Sequence, residues 1–249
     1  MPRWRVRLVR PSPRHETAFL AAVRRSRRLH GVFVEPPSTS EEFARYLRRQ
    51  RQPNQVSFLV VDAATDELVG VVNLNEIVRD SRDSASLGYY AFEPFAGRGL
   101  MREALTRVIA FAFTELKLHR LEASIQPSNI RSIRLVESLG FELEGVARRF
   151  LKIRGRWRDH ERWSLLAEEW RAMRAQRSGS GQPDGALRSG GAGRSARLDR
   201  YTRQVHATST MRTVLVRTRR PPAAERRPSV NAPRSPRSAS AATSSSDGA

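Results

Sequence analysis

From the amino end, WRVRLV, Trp4 to Val9, alternates apolar and arginine positions, the period of a strand with one buried face. Pro11 and Pro13 end it and lead into AFLAAVRRSRRL, which reads as a helix. A second helix is predicted from STSEEFARYL, where Ser38 with Glu41, or Thr39 with Glu42, has the spacing of a capping box. VSFLVVD, Val56 to Asp62, and LVGVVNLNEIV, Leu68 to Val78, flank the short DAATDE and read as a hairpin. SASLGYYAF, Ser84 to Phe92, is a further strand, stopped by Glu93 and Pro94. Leu100 to Leu116 places Met101, Ala104, Leu105, Val108 and Ala112 on one helical face. LEASI, Leu121 to Ile125, is a strand; Pro127, Ser128 and Asn129 then open a helix in which Ile130, Ile133, Val136 and Leu139 recur, ended by Gly140 and Phe141. ELEGVARRFLKI and HERWSLLA, joined around RGRWRD, are the final strands before a short helix, AEEWRAMR. The order β-α-α-β-β-β-α-β-α-β-β implies an α/β (α+β) fold, a mixed sheet covered by helices.

The pattern fails after residue 175. From Gln176 to Ala249 there is one aromatic, Tyr201, amid Gly, Ser, Pro, Ala and Arg. Such a segment buries too little apolar surface to offset its ordering entropy, so residues 1–175 are expected to fold and 176–249 to form a basic disordered tail. The net charge is +20. The tail holds 14 of the 45 basic residues and 4 of the 25 acidic ones. Counterion release would draw it to the ribosome or RNA; the alternative is a tail whose arginines serve composition and solubility alone. The chain has no cysteine, which excludes disulfides and thiolate chemistry, and its five histidines are scattered, so no metal site is expected. No stretch approaches membrane-spanning length and MPRWRVRLVRPSPRH lacks an apolar core, so no membrane partner is expected and the cytoplasm is the default compartment.

FAGRGLMREAL, Phe95 to Leu105, carries a Gly-x-Gly turn from a strand into a helix. Converging amides, glycines that permit close approach and the helix dipole together make an anion site. A Walker loop would need Gly-Lys-Ser/Thr, but Leu100 and Met101 follow Gly99; a Rossmann fingerprint would need a glycine at Arg102. Alone, Gly97 and Gly99 could equally be turn punctuation.

PSNIRSIRLVESLGF, Pro127 to Phe141, has the form P-x-N-x-x-S, then Leu135 and Gly-Phe. With YYAFEPFAGRGLMREAL it resembles the GNAT acyl-CoA N-acetyltransferase superfamily. GRGLMREAL, HRLEASIQPSN, LGFELEGVAR and GRWRDH are similar to the RimJ/RimL-type ribosomal-protein-alanine N-acetyltransferases. The resemblance implies a mixed, mostly antiparallel twisted sheet with splayed central strands, and acetyl-CoA as cosubstrate. It implies that Gly97, Arg98, Gly99, Leu100 and Met101 cradle the pyrophosphate, that the backbone of Tyr89, Tyr90 and Ala91 meets the thioester carbonyl and pantetheine, and that Asn129 binds pantetheine or a site water. The polar residue that opens the family loop is Ala96 here, and Met101 stands where glycine or alanine is common.

Acetyl transfer needs a neutral amine, a polarised carbonyl and a proton for the departing thiolate. Glu122 is the candidate base, on a strand face shared with Ser124 and Gln126; the alternative is that it pairs with arginines. Glu76 is the reserve. The tyrosine that protonates the thiolate in many superfamily members corresponds to Phe150, so the resemblance passes the acid role to Ser132; for Ser132 and Asn129 the alternative is helix capping. Trp157, Arg158 and Asp159 resemble a subgroup signature and either shape the acceptor mouth or brace a hairpin. Three functions stand: acetylation of a protein N-terminal amine, Ala or Ser on a ribosomal protein foremost; acetylation of a small amine or antibiotic; or a non-catalytic acyl-CoA- or ribosome-binding module.

Overall fold

A computed structural model describes residues 4–179. Its strands are β1 (Val6–Val9), β2 (Val56–Asp62), β3 (Leu68–Val78), β4 (Ser84–Ala91), β5 (Arg120–Ile125), β6 (Glu142–Ile153) and β7 (Arg156–Leu166). Its helices are α1 (Glu16–Arg25), α2 (Arg27–His30), α3 (Ser40–Arg49), α4 (Leu100–Thr114), α5 (Ile130–Glu137) and α6 (Ala167–Gly179). The first predicted helix is interrupted at Ser26, whose hydroxyl turns back to Ala22 O and accepts from Glu93 N–H. The final hairpin turns at Arg154 and Gly155, both at positive φ, so Trp157 to Asp159 belong to β7 rather than to the connection. The proposed start of the tail at residue 176 falls inside α6, and the remainder of 176–249 lies outside the described residues.

The strands form one sheet in the order β1-β2-β3-β4-β5-β7-β6, antiparallel throughout except for β4 with β5. β2 and β3 are buried almost end to end because helices cover both faces, which explains their unbroken apolar runs. On one face α1 and α3 pack Phe19, Phe43 and Tyr46 against Leu59, Val71 and Phe92. On the other, α4 sets Leu105, Val108 and Ala112 against Val60, Val72 and Leu121, and α5 contributes Val136. The α3 cap uses Thr39, whose Oγ1 accepts from Glu42 N–H at 3.2 Å, while the Glu42 carboxylate reaches back one residue further, to Ser38 N–H at 2.7 Å.

Two packing details place the functional turn. A Cβ on Gly70 of β3 would lie 2.5 Å from both Met101 Sδ and Tyr90 O, so the missing side chain makes the room Met101 occupies. Arg5, next to β1, donates to Glu103 Oε2 at 3.2 Å and to Arg98 O at 3.4 Å, and Val6 N–H meets Glu103 Oε1 at 3.0 Å. The turn is thereby braced from β1, without the polar side chain that Ala96 replaces. Gly70→Ala is expected to lower stability by about 1–3 kcal/mol, since the new methyl meets fixed backbone; a chemical-denaturation midpoint equal to that of wild type would contradict this packing.

Candidate active site

β4 and β5 pair only from Ser84 with Arg120 to Ser86 with Glu122. Beyond that point β5 follows β7, from Ala123 with Trp163 to Ile125 with Glu161, while β4 stays with β3. The strands therefore part, and a cleft opens between them. Phe92 N–H donates to Val69 O of β3 at 2.7 Å. Alternation along the strand then turns the Tyr90 amide to β3 and those of Tyr89 and Ala91 to the cleft. Of the three residues expected to act through their backbone, Tyr89 and Ala91 turn their amides to the cleft, while the Tyr90 ring packs edge-on against His30 and Phe92. His30 Nε2–H takes the Ala91 carbonyl at 2.9 Å.

At one end of the cleft lies the glycine turn. Gly97 and Gly99 have φ of 81° and 77°, a conformation that a Cβ would disfavour, and Gly99 caps α4 with no side chain in the way. Both are exposed and line the cleft, so the first amides of α4 are open to an anion. Met101 lines the cleft as well, whereas Leu100 is buried beneath the turn and Arg98 folds over Phe95, its guanidinium 5.7 Å from the ring centroid. Arg102 of α4 with Arg131 and Arg134 of α5 adds three exposed cations to the same wall. Sequence reading did not single these out, because they are lost among so many arginines until the fold brings them together. Open amides, Cβ-free glycines and a cationic wall fit a diphosphate carrier such as CoA.

In the middle of the cleft Asn129 caps α5, its Oδ1 accepting Ser132 N–H at 3.3 Å. The capping alternative is thus realised, and it also fixes Ser132 toward the cleft. Ser132 Oγ lies 2.7 Å from the Tyr89 hydroxyl, which reaches Ser132 O at 3.2 Å. Burial pushes the Tyr89 phenol up to about 12, so it remains a protonated donor across the neutral range. The Tyr89 hydroxyl has a partner that sequence could not show, because the contact spans 43 residues.

The expected base, Glu122, is placed elsewhere, outside the cleft lining. Its carboxylate is held by Arg120 at 2.8 Å, Arg162 at 2.9 Å and Arg82 at 3.5 Å, the arginine pairing weighed against catalysis. Glu76, the reserve, is exposed at a bulge of β3, also away from the lining. Phe150 lies outside the lining too, its ring between Arg162 and His160. Trp157 is exposed, and Asp159 accepts Arg149 N–H at 2.7 Å across the hairpin, so the geometry of this trio is that of a brace. Two cleft residues that sequence reading passed over, His30 and His160, are buried, and burial is the main cause of their lowered pKa values. Among the described residues no cluster of potential ligands could hold a metal ion, and no helix is long and apolar enough to cross a membrane.

Residues 5–142 match the acetyltransferase (GNAT) domain family. The probable N-acetyltransferase YjcK of Bacillus subtilis is 40% identical over 121 residues, 49% of this chain and 67% of that protein. The [ribosomal protein uS5]-alanine N-acetyltransferase of Escherichia coli is 38% identical over 120 residues, 48% of this chain and 62% of its own length. Mycobacterium smegmatis RimJ, solved in complex with CoA-disulfide, superposes with a TM-score of 0.62 at 25% identity, covering 70% of this chain and 89% of that one.

Two outcomes follow from this geometry. Glu122→Gln is expected to destabilise the fold by about 1–2 kcal/mol, since a half-buried carboxylate partner is lost to three arginines, while acetyl-CoA affinity stays within about twofold; weakened affinity measured by calorimetry at unchanged stability would contradict the placement. His30 and His160 have folded pKa values below the unfolded value of about 6.5, so the unfolded chain binds protons first as pH falls. Their contribution is complete above that value and is lost toward lower pH. Melting temperature is expected to drop from pH 7.5 to 5.5, and an unchanged midpoint would argue against two buried neutral imidazoles.

Proposed function

Since the chain belongs to the GNAT acetyltransferase family, we propose that it transfers acetyl from acetyl-CoA to a primary amine, and that the amine is the N-terminus of a protein beginning with Ala or Ser, of the ribosomal-protein type. The observation that carries the reading is the parted β4–β5 pair with the glycine turn at one end and the Ser132–Tyr89 hydroxyl pair midway along the cleft. Acetyl-CoA supplies the activated acyl group. The amides of Gly99 and the first turn of α4, with Arg102, Arg131 and Arg134, bind its phosphates. The Tyr89 and Ala91 amides receive the thioester carbonyl oxygen as it gains negative charge. The amine nitrogen bonds to the carbonyl carbon as the carbon–sulfur bond breaks. Ser132 Oγ donates to the departing sulfur, the Tyr89 hydroxyl, 2.7 Å away, restores the serine proton, and water returns the amine's released proton to Tyr89.

The acceptor assignment rests on the similarity to the E. coli alanine N-acetyltransferase and on proton chemistry. An α-amine of pKa about 7.7–8.0 is roughly a tenth neutral at pH 7, far more than a lysine at about 10.4, and so demands little of the site. A polyamine acceptor is disfavoured by Arg28, Arg45 and Arg49, which line the cleft on its α2–α3 side. In this reading the basic residues of 176–249 tether the enzyme near ribosomes in the cytoplasm.

The test is CoA thiol release with acetyl-CoA and a panel of Ala- and Ser-initiated peptides, a lysine-bearing peptide blocked at its N-terminus, and spermidine. The chain's lack of cysteine keeps its own thiol background at zero. Turnover is expected with the Ala- or Ser-initiated peptides, and Ser132→Ala should lower kcat about 100-fold. Acetylation confined to spermidine would overturn the acceptor, and full turnover by Ser132→Ala would remove Ser132 from the acid role.

A further inference from the structure

With Glu122 and Glu76 away from the cleft, the group that accepts the amine proton must be sought among the residues that line it. Three carboxylates do so. Glu42 is committed to Ser38 N–H and Oγ, at 2.7 and 2.9 Å. Glu35 accepts Arg154 N–H at 3.3 Å. Glu93 stands past the end of β4, on the chain that Ser26 and Arg25 fasten to α1.

His160 is placed differently. It follows Arg158 and Asp159 in β7, one step beyond the pair Ile125 with Glu161, and so comes level with Gln126 at the free end of β5. That step puts it on the wall of the cleft facing the parted β4, where it contributes to the lining. Gln126 Nε2–H donates to Val32 O at 2.9 Å, which draws the segment after α2 over the same wall. The acceptor would approach on this side, opposite the α4 turn that takes the phosphates.

The ring has one defined tautomer. His160 Nδ1 lies 3.0 Å from Arg158 O, and a carbonyl can only accept, so Nδ1 carries the hydrogen and Nε2 keeps its lone pair. Burial lowers its pKa, opposed by the Arg158 carbonyl and the Asp159 charge beside it. From β6 it meets the Phe150 ring, centroid to centroid at 6.1 Å, with the Arg162 guanidinium on that ring at 4.7 Å. On the β5 side its neighbour is the uncharged Gln126, and Glu161 adjoins it on its own strand.

We propose that His160 is the general base of the reaction, taking the acceptor's N–H proton on Nε2 as the nitrogen bonds to the thioester carbon. The carbon–sulfur bond breaks, Ser132 supplies the proton on sulfur, and the imidazolium proton passes through water to reprotonate the Ser132–Tyr89 pair. This rests on the acetyltransferase reading above and extends it to the base.

His160→Asn separates a catalytic from a structural role, because the asparagine amide can still donate to Arg158 O but presents nothing at the Nε2 position. With acetyl-CoA and a short Ala-initiated peptide, kcat is expected to fall by about 100- to 1000-fold. The acidic limb of its pH profile should lose the imidazole contribution, and acetyl-CoA affinity by calorimetry should be retained. Turnover within about threefold of wild type would overturn the assignment while leaving the acetyltransferase reading intact; a wild-type chain that binds no acetyl-CoA would remove both. A second readout does not use turnover. Nitrogen-15 NMR of the wild-type chain should show His160 as the neutral Nδ1–H tautomer at pH 7, and an Nε2–H tautomer or a charged ring there would also overturn the proposal.

Discussion

The organising constraint is a break in backbone pairing. A sheet normally satisfies every interior amide through its neighbours, and a buried amide without a partner is costly. β4 keeps its partner on one side and loses it on the other after Ser86, so the Tyr89 and Ala91 amides face a cleft instead of a strand. The rest of the site is arranged around that opening. α4 begins where the β4 chain turns, α5 is capped so that Ser132 meets Tyr89, and β7 carries β5 away while setting its own residues along the far wall.

The cleft also divides by charge. Its α4–α5 end is built from amides and exposed arginines that attract an anion. Its middle and far wall hold groups kept neutral by burial, a phenol raised to about 12 and imidazoles lowered from their usual value. A positive end beside a centre of neutral hydroxyl and imidazole groups suits the proposed acyl transfer, because donors aimed at developing charge stabilise it. The Glu122 cluster shows the opposite use of charge. There one carboxylate ties β5, β7 and the segment before β4 together.

Much of this was legible in the sequence because the relevant signals are local. β2, β3 and β6 begin and end where periodicity places them, since alternation and turn residues act within a few positions. The glycine turn was readable for the same reason, because glycine is the residue that most readily takes the positive φ found at Gly97 and Gly99. What escaped depends on distant contacts. The room for Met101 is made by Gly70, the brace for the turn comes from Arg5, and Tyr89 gains its partner from α5. The position of Glu122 relative to the cleft was illegible for a related reason: strand alternation gives its face, but its distance from the opening depends on where β4 and β5 part, and no local pattern encodes that point. His160 escaped because its value lies in a fixed tautomer and a position level with the end of β5, both set by the final hairpin.

The central claim is that amides released by the parting strands and by the α4 turn hold an acyl carrier. It is tested most directly by amide NMR of the full chain titrated with CoA. The amides of Tyr89, Ala91 and Gly97 through Met101 are expected to shift together and to gain protection from hydrogen exchange. Resonances at those positions that stay unmoved at saturating CoA would contradict the account.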